Sequence, residues 1–535
     1  NDTATTEIYT GEDTLSPTRR SSDLCRNATG SQWARNMVLL LAMQGLGKPG
    51  INFGNLQAGT PLDHNFWFPG YAEGGISGEL AHTAGAAHTY CRMPHVLTMN
   101  PVKQMVPRQR LPDAIIDGKA VGYPWDGFSQ EAQLTPFEYP MPGYSKIHML
   151  YRYGTSTFGT INDTGRYVDM FRHDSVEMVV NQSIWMEGDA LFADVILPAC
   201  TSFERSDISE WGNSGGYIHH NTDQLNHRMV LFQHKCIEPL GESKSDYDIF
   251  TGILNRMGTG SMFTEGCSDF DWAKRMFEAS DLSKKVKFKD FVKKGYYIVP
   301  PEAEKLRSPA YFRWFAEDRH KDVPEPIPLP SQWSGDFAKG LQTQSGKIEF
   351  VPSSLLRGDP NNEERPPLNR YIPSWEGNKT SELVAKYPVQ MISTHSRYSF
   401  HTYGDGKDST VNDIDDHRIN VDGYYYWVMK VNPVDAKARG ITQHGLIRVF
   451  NDRSSVICAA DISPMMAEGV CKAYESSAEI DIFIDPRFGR VDRGGRRIIK
   501  KKKRPQVKGT DGMGSNSCLV EIEPYVLPVD ALKRA

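Results

Sequence analysis

Past Lys386 the chain is written in short strand-like runs with turn residues between them. Residues 387–393, 445–451 (GLIRVFN) and 456–462 are such runs, and glycine, asparagine and aspartate punctuate them. Strands this short satisfy their backbone only by pairing with one another, so the stretch predicts a compact barrel of about six strands. One short helix interrupts the series, beginning near Pro433 and stopping at the Arg439 and Gly440 pair. Directly after the first run, residues 394–401 read THSRYSFH. Two histidines, an arginine and several hydroxyls at a strand end make a donor-rich loop suited to a large anionic cofactor with phosphates and a heterocycle. A solvated turn is the plain alternative.

The part before Lys386 has a different pattern. Residues 28–44 form an amphipathic helix that stops at GLGKPG, residues 45–50. Residues 61–90 are rich in aromatics and glycine. From Lys146 a strand (148–153), a small-residue loop (GTSTFGT, 154–160), a helix (163–173) and two strands (176–180 and 194–197) follow in α/β order. Strand, Gly/Ser/Thr loop and helix is the geometry in which backbone N–H groups and a helix N-terminus hold phosphates; a tight βα turn has the same sequence pattern. Residues 257–301 are helix-rich and charged, an outer decoration. Residues 324–330 and 358–375 are proline-rich connectors.

With 535 residues the chain exceeds what one core can hold, so two or three domains are expected. A net charge of −5 leaves no nucleic-acid footprint, the basic run at residues 500–504 reading as a solvated loop. No apolar run approaches the ~20 residues of a membrane span. The eight cysteines are scattered without metal-cluster spacing, which predicts reduced, mostly buried thiols and no metal ligands from this chain. His219, His220 and His227 fit no simple zinc spacing and read as exposed loop residues. Asp194, at the head of a strand, could serve as a base, but capping a neighbouring backbone is the stronger expectation.

Four further segments carry a resemblance: residues 33–54, 189–205 (DALFADVILPACTSFER), 236–250 (CIEPLGESKSDYDIF) and 343–350 (TQSGKIEF). Together with the stretch from 394 to 462, and in this order, they resemble the molybdopterin enzymes of the dimethyl sulfoxide reductase family. The resemblance implies a Rossmann-like α/β body, partial and without the family's front lobe, over residues 25–384. It implies a double-psi β-barrel that binds a molybdopterin dinucleotide over residues 385–535. Residues 1–24, polar and aperiodic, are expected to be a non-native or disordered leader. Residues 52–75, 211–216 (WGNSGG) and 422–427 (DGYYYW) are similar to the transhydroxylase and acetylene-hydratase-like branch.

By this resemblance the cofactor is bis-molybdopterin guanine dinucleotide carrying molybdenum or tungsten, with the protein's metal ligand in the preceding part of the family's chain. Thr394, His395, Arg397, Tyr398, His401, Thr402 and Asn516 are then expected to hold one dinucleotide. Gly154, Thr155, Ser156 and Gln182 are expected to hold the other. Tyr71 is the expected proton-transfer residue, with Trp67 and Phe68 as an aromatic wall for a flat polyphenol. The implied activity is hydroxyl transfer or oxidoreduction on a small aromatic substrate, with an iron–sulfur electron-transfer subunit as partner and a cytoplasmic location. Reduction of an anion or sulfur compound, or a non-catalytic scaffold keeping the fold, are the competing expectations.

Overall fold

The structure, a computed structural model, describes residues 30–46, 102, 104, 106, 110–122, 136–154, 164–186, 188–211, 229–298, 344, 345, 347–374, 376, 377, 379–394, 396–398, 409–474, 481–493 and 516–528. The first helix, α1 (Gly30–Gln44), is tied to a later connector: Arg35 donates to the carbonyls of Pro366 and Pro367 at 2.7 and 2.6 Å, and Asn369 donates to Gln32 O at 3.0 Å. After α2 (Leu111–Ile116) comes the antiparallel pair β1 (Ala120–Gly122) and β2 (Phe137–Tyr139).

The α/β unit follows, with β3 (Met149–Tyr153), α3 (Thr164–Phe171), β4 (Met178–Ser183) and β5 (Val195–Pro198). All three strands are parallel, in the order β3–β4–β5. Leu150 and Val179 bury one face of the sheet under Tyr167, Val168, Met170 and Phe171 of α3, joined by Ile115 of α2. The expected strand at 176–180 begins two residues later and runs on to Ser183. Gln182 therefore lies inside the strand rather than after it, because its neighbours continue the ladder with Ile196, Leu197 and Pro198 of β5.

Next, β6 (Asp207–Trp211), β7 (Met229–Gln233) and β8 (Tyr296–Ile298) form an antiparallel sheet. Between β7 and β8 lie α4 (Asp246–Arg256), α5 (Gly260–Thr264), α6 (Asp269–Ala279) and α7 (Phe288–Lys294). Phe232 of β7 packs edge-on against Phe270, Phe288 and Phe291, so the charged helices of 257–298 share an aromatic core with β6 and β7. A short helix, α8 (Ser353–Gly358), precedes the last unit.

That unit is a barrel built from β9 (Val389–Thr394), β10 (Arg418–Val421), β11 (Tyr424–Val431), α9 (Pro433–Arg439), β12 (Leu446–Asn451), β13 (Ser454–Ile462), β14 (Val470–Tyr474), β15 (Ile482–Asp485), β16 (Gly489–Asp492) and β17 (Cys518–Pro524). Six of these strands close on themselves, β11–β14–β9–β17–β12–β13 and back to β11. Pairing is parallel at β9–β14 and β11–β13 and antiparallel elsewhere in the ring. Alternation drives the closure. In β12 the residues Ile447, Val449 and Asn451 are buried and their neighbours half-buried, so one face of this strand turns into a core with Trp427, Met429, Val431, Val456 and Val520. The helix α9 forms where the sequence signals it: Asn432 accepts the Val434 N–H at 2.7 Å, Pro433 fills the first turn, and Gly440 ends it at φ +67°. Cys458, Cys471 and Cys518 point into the core, where burial pushes the Cys471 thiol up.

The flanking pair β15–β16 joins barrel to body. Ile482 packs against both the barrel core and the α3 cluster. Arg490 pairs with Asp169 of α3 at 3.1 Å.

Two carboxylates are held at about 2. Arg487's guanidinium does this for Asp485, helped by the Tyr525 hydroxyl; the Thr201 and Leu240 backbone N–H groups do it for Glu204, helped by the Thr201 hydroxyl. Both lie below the ~4 of an unfolded carboxylate, so their stabilisation is fully present above that pH and lost as pH falls toward about 2. Denaturant midpoints should stay level down to about pH 5 and fall between about pH 4 and 2. Asp485→Asn should flatten the fall; an unchanged slope in that variant would show the carboxylate plays no such part.

Candidate cofactor site

In an open parallel sheet, ligands gather beyond the carboxyl ends of the strands. Here those ends carry Gly154, Gln182 and the segment after Ser183. Gly154 turns the chain at φ +77°, and its N–H donates to Gln182 O at 3.1 Å. A side chain at that φ would be strained, so glycine is required where the strand opens into its loop. Thr155 and Ser156 lie outside the described residues. Gln182 is 2% exposed. Its amide oxygen accepts the Tyr151 hydroxyl and its amide nitrogen donates to Asp246 of α4 at 2.6 Å. The amide is thus engaged at both ends by protein, and it fixes the sheet edge to the start of α4. Beside it, Asn181 Oδ1 is buried with no hydrogen-bond partner among the described residues. Tyr153, Trp185 and Met186, at the same strand ends, are exposed.

Asp194 behaves as a cap. Its carboxylate accepts the Val179 N–H at 2.7 Å, and its own N–H donates to Val179 O at 2.8 Å. Asp194→Ala should therefore cost about 1 kcal/mol of stability and leave turnover alone. A loss of turnover by orders of magnitude would instead mark it as a base.

On the barrel, β9 delivers the donor-rich loop. Ser393, Thr394 and Ser396 are buried. Asn516 anchors this end: its Oδ1 accepts the Ser393 N–H at 2.9 Å, while Gln390 Nε2 donates to the Asn516 carbonyl at 3.1 Å. Thr394 Oγ1 is buried and has no hydrogen-bond partner among the described residues. Arg397 is exposed, its guanidinium 5.5 Å from the centre of the Tyr398 ring. Tyr398 meets the edge of His417 at 6.1 Å, and His417 meets Trp427 at 5.1 Å. The Arg418 guanidinium stacks 3.4 Å over Trp427. His395, His401 and Thr402 lie outside the described residues, as do Tyr71, Trp67 and Phe68.

Thr394, Arg397, Tyr398 and Asn516 are therefore gathered at one strand end, and Gly154 and Gln182 at another. Asn181, His417 and Arg418 join them without having been anticipated. The polar NQS that closes the run MVVNQS was the available signal for Asn181. The pair HR at the start of a strand offered less for His417 and Arg418.

Two buried side-chain oxygens without partners among the described residues, each toward the carboxyl end of a strand, suit a ligand rich in hydrogen-bond donors. An exposed arginine beside one of them suits phosphate. The residues present fit a nucleotide-bearing cofactor. Among the described residues, no group of three or more His, Cys, Asp or Glu could hold a metal ion.

Comparison with known proteins agrees with this geometry. Residues 21–256 match the family described as Molybdopterin oxidoreductase, and residues 390–496 match the Molydopterin dinucleotide binding domain. Over 518 residues the chain is 45% identical to the pyrogallol hydroxytransferase large subunit of Pelobacter acidigallici, covering 94% of this chain and 58% of that protein. It is 27% identical over 467 residues to dimethyl sulfoxide reductase DmsA of Escherichia coli (strain K12), covering 84% and 49%. Acetylene hydratase from Pelobacter acetylenicus superimposes with a TM-score of 0.51 at 13% identity, covering 85% of this chain and 51% of that one, a likeness of fold. The chain spans about half the length of the curated relatives it matches. With its α/β part matching the Molybdopterin oxidoreductase family and its barrel the Molydopterin dinucleotide binding domain, the chain carries the domains of the molybdopterin oxidoreductases, and dimethyl sulfoxide reductase is among its relatives.

Proposed function

We propose that this chain is part of a molybdenum or tungsten enzyme that holds bis-molybdopterin guanine dinucleotide and transfers a hydroxyl group on a polyphenol. The observation carrying this reading is the 45% identity to a pyrogallol hydroxytransferase, which extends across both the α/β part and the barrel. When bound, the metal centre supplies the redox chemistry; this chain's residues bind, orient and move protons.

In this reading Thr394 Oγ1 accepts from the dinucleotide, Arg397 pairs with its phosphate, and Tyr398, His395, His401 and Thr402 complete the loop's contacts. Asn516 keeps the strand end in place. For the second dinucleotide, the backbone at Gly154, Thr155 and Ser156 offers donors, and Gln182 holds the edge on which they sit. Tyr71 exchanges a proton with the substrate, and Trp67 and Phe68 flank the flat ring. The relative's name, a large subunit, supports a smaller partner, which we take to be an iron–sulfur electron-transfer subunit. We place the enzyme in the cytoplasm; no described helix is long and apolar enough to cross a membrane.

The test is to incubate the metal-loaded enzyme with pyrogallol and follow the hydroxyl pattern of the product. Conversion to an isomeric trihydroxybenzene is expected. Dimethyl sulfoxide reduction without that conversion would move the chain to the reductases, and neither activity in a fully loaded protein would favour the scaffold. Arg397→Ala should weaken cofactor binding about thirtyfold and lower nucleotide content, ~2 kcal/mol being the worth of a charged phosphate contact. Full nucleotide content in that variant would remove Arg397 from the site.

A further inference from the structure

An arginine contributes to anion binding in proportion to how well it is held beforehand, because a freely moving side chain loses its freedom on binding. Arg397 sits in a loop in which the Tyr398 N–H donates to Ser396 Oγ at 3.4 Å. A firmer support lies beneath it. Residues 414–417 turn back onto the barrel wall, with the His417 N–H donating to Ile414 O at 2.7 Å. Asp416 bolts this turn down: it pairs with Lys430 of β11 at 2.5 Å and accepts the Tyr474 hydroxyl of β14 at 2.9 Å.

The next residue, His417, is fully buried. Its ring stands at 79° to Trp427 of the barrel core and at 75° to Tyr398 of the loop. Edge-to-face contacts of this kind have a preferred angle as well as a preferred distance, so they transmit orientation. Tyr398 in turn lies under the Arg397 guanidinium. We propose that His417 is a positioning residue that couples the rigid barrel wall, through Tyr398, to Arg397. This rests on the reading above that the loop after β9 holds a dinucleotide.

Two readouts separate the inference from that reading. In cofactor-free protein, tryptic cleavage of the Arg397–Tyr398 bond, followed by mass spectrometry, reports how firmly the loop is held. His417→Leu and Tyr398→Leu should each speed it about tenfold, His417→Phe should restore the wild-type rate, and the double variant should be no faster than either single one. In loaded protein, guanine nucleotide should dissociate faster in the same order of variants, while Tyr398→Leu leaves the unfolding midpoint in place. Cleavage and dissociation at wild-type rates in Tyr398→Leu, or effects that multiply in the double variant, would overturn the coupling. Faster cleavage in the two leucine variants of a protein whose wild type never carries guanine nucleotide would uphold the coupling and sink the cofactor reading instead.

Discussion

Trp427→Ala should remove most of the barrel's stability. Trp427 is 1% exposed, belongs to the barrel core and carries Arg418 stacked over its ring at 3.4 Å. Truncating a buried tryptophan typically costs 3–5 kcal/mol through lost burial and the cavity left behind (about 4 is expected here). Arg418 is itself 1% exposed, so the variant also strips a ring from a buried cation, which adds to the cost. Against a domain stability of roughly 5–15 kcal/mol this leaves little margin. Trp427→Phe, which keeps a ring face for Arg418 and a partner for the His417 edge, should recover more than half of the loss. Denaturant unfolding followed by circular dichroism decides it. A cost under about 1 kcal/mol for the alanine variant would mean that the stack is ornamental.

Tyr71→Phe is the second large effect. If the Tyr71 phenol delivers and recovers the substrate proton, its removal should lower turnover on pyrogallol by about 10²–10⁴-fold, the usual range for a general acid–base group. Metal and nucleotide content should not move, because Tyr71 is assigned no contact with either. Trp67→Ala should instead act mainly on KM, as expected for a residue that stacks on a ground-state ring. A Tyr71→Phe enzyme at full speed would return the phenol to an ordinary packing role.

The barrel was legible in the sequence because its signal is local. Runs such as LIRVFN alternate with period two, and NP before VDAKARG writes out both ends of α9. What closes the barrel is not local. The parallel pairing of β11 with β13 sets Val428 beside Ala459, 31 positions away, and nothing in either strand announces it. Gln182 shows the opposite failure. Polar residues at 181–183 looked like the end of a strand, while the ladder to β5 carried them on, and the amide expected to help hold a dinucleotide is engaged by Tyr151 and Asp246. His417 was invisible for a third reason. Whether a histidine in a turn is solvated or sealed between two aromatic rings depends on chain segments remote in sequence, here Tyr398 and Trp427. The capping role of Asp194 needed only the expectation that a strand-head aspartate finds a backbone N–H, and Val179 supplies it.

The most direct test of the central claim is the guanine nucleotide released by acid hydrolysis, measured beside the molybdenum and tungsten content of the purified enzyme. Two guanine nucleotides per metal atom are predicted, one for the β9 loop and one for the loop after β3, with Arg397→Ala lowering nucleotide and metal together. A folded protein that releases no guanine nucleotide and carries neither metal would contradict the account.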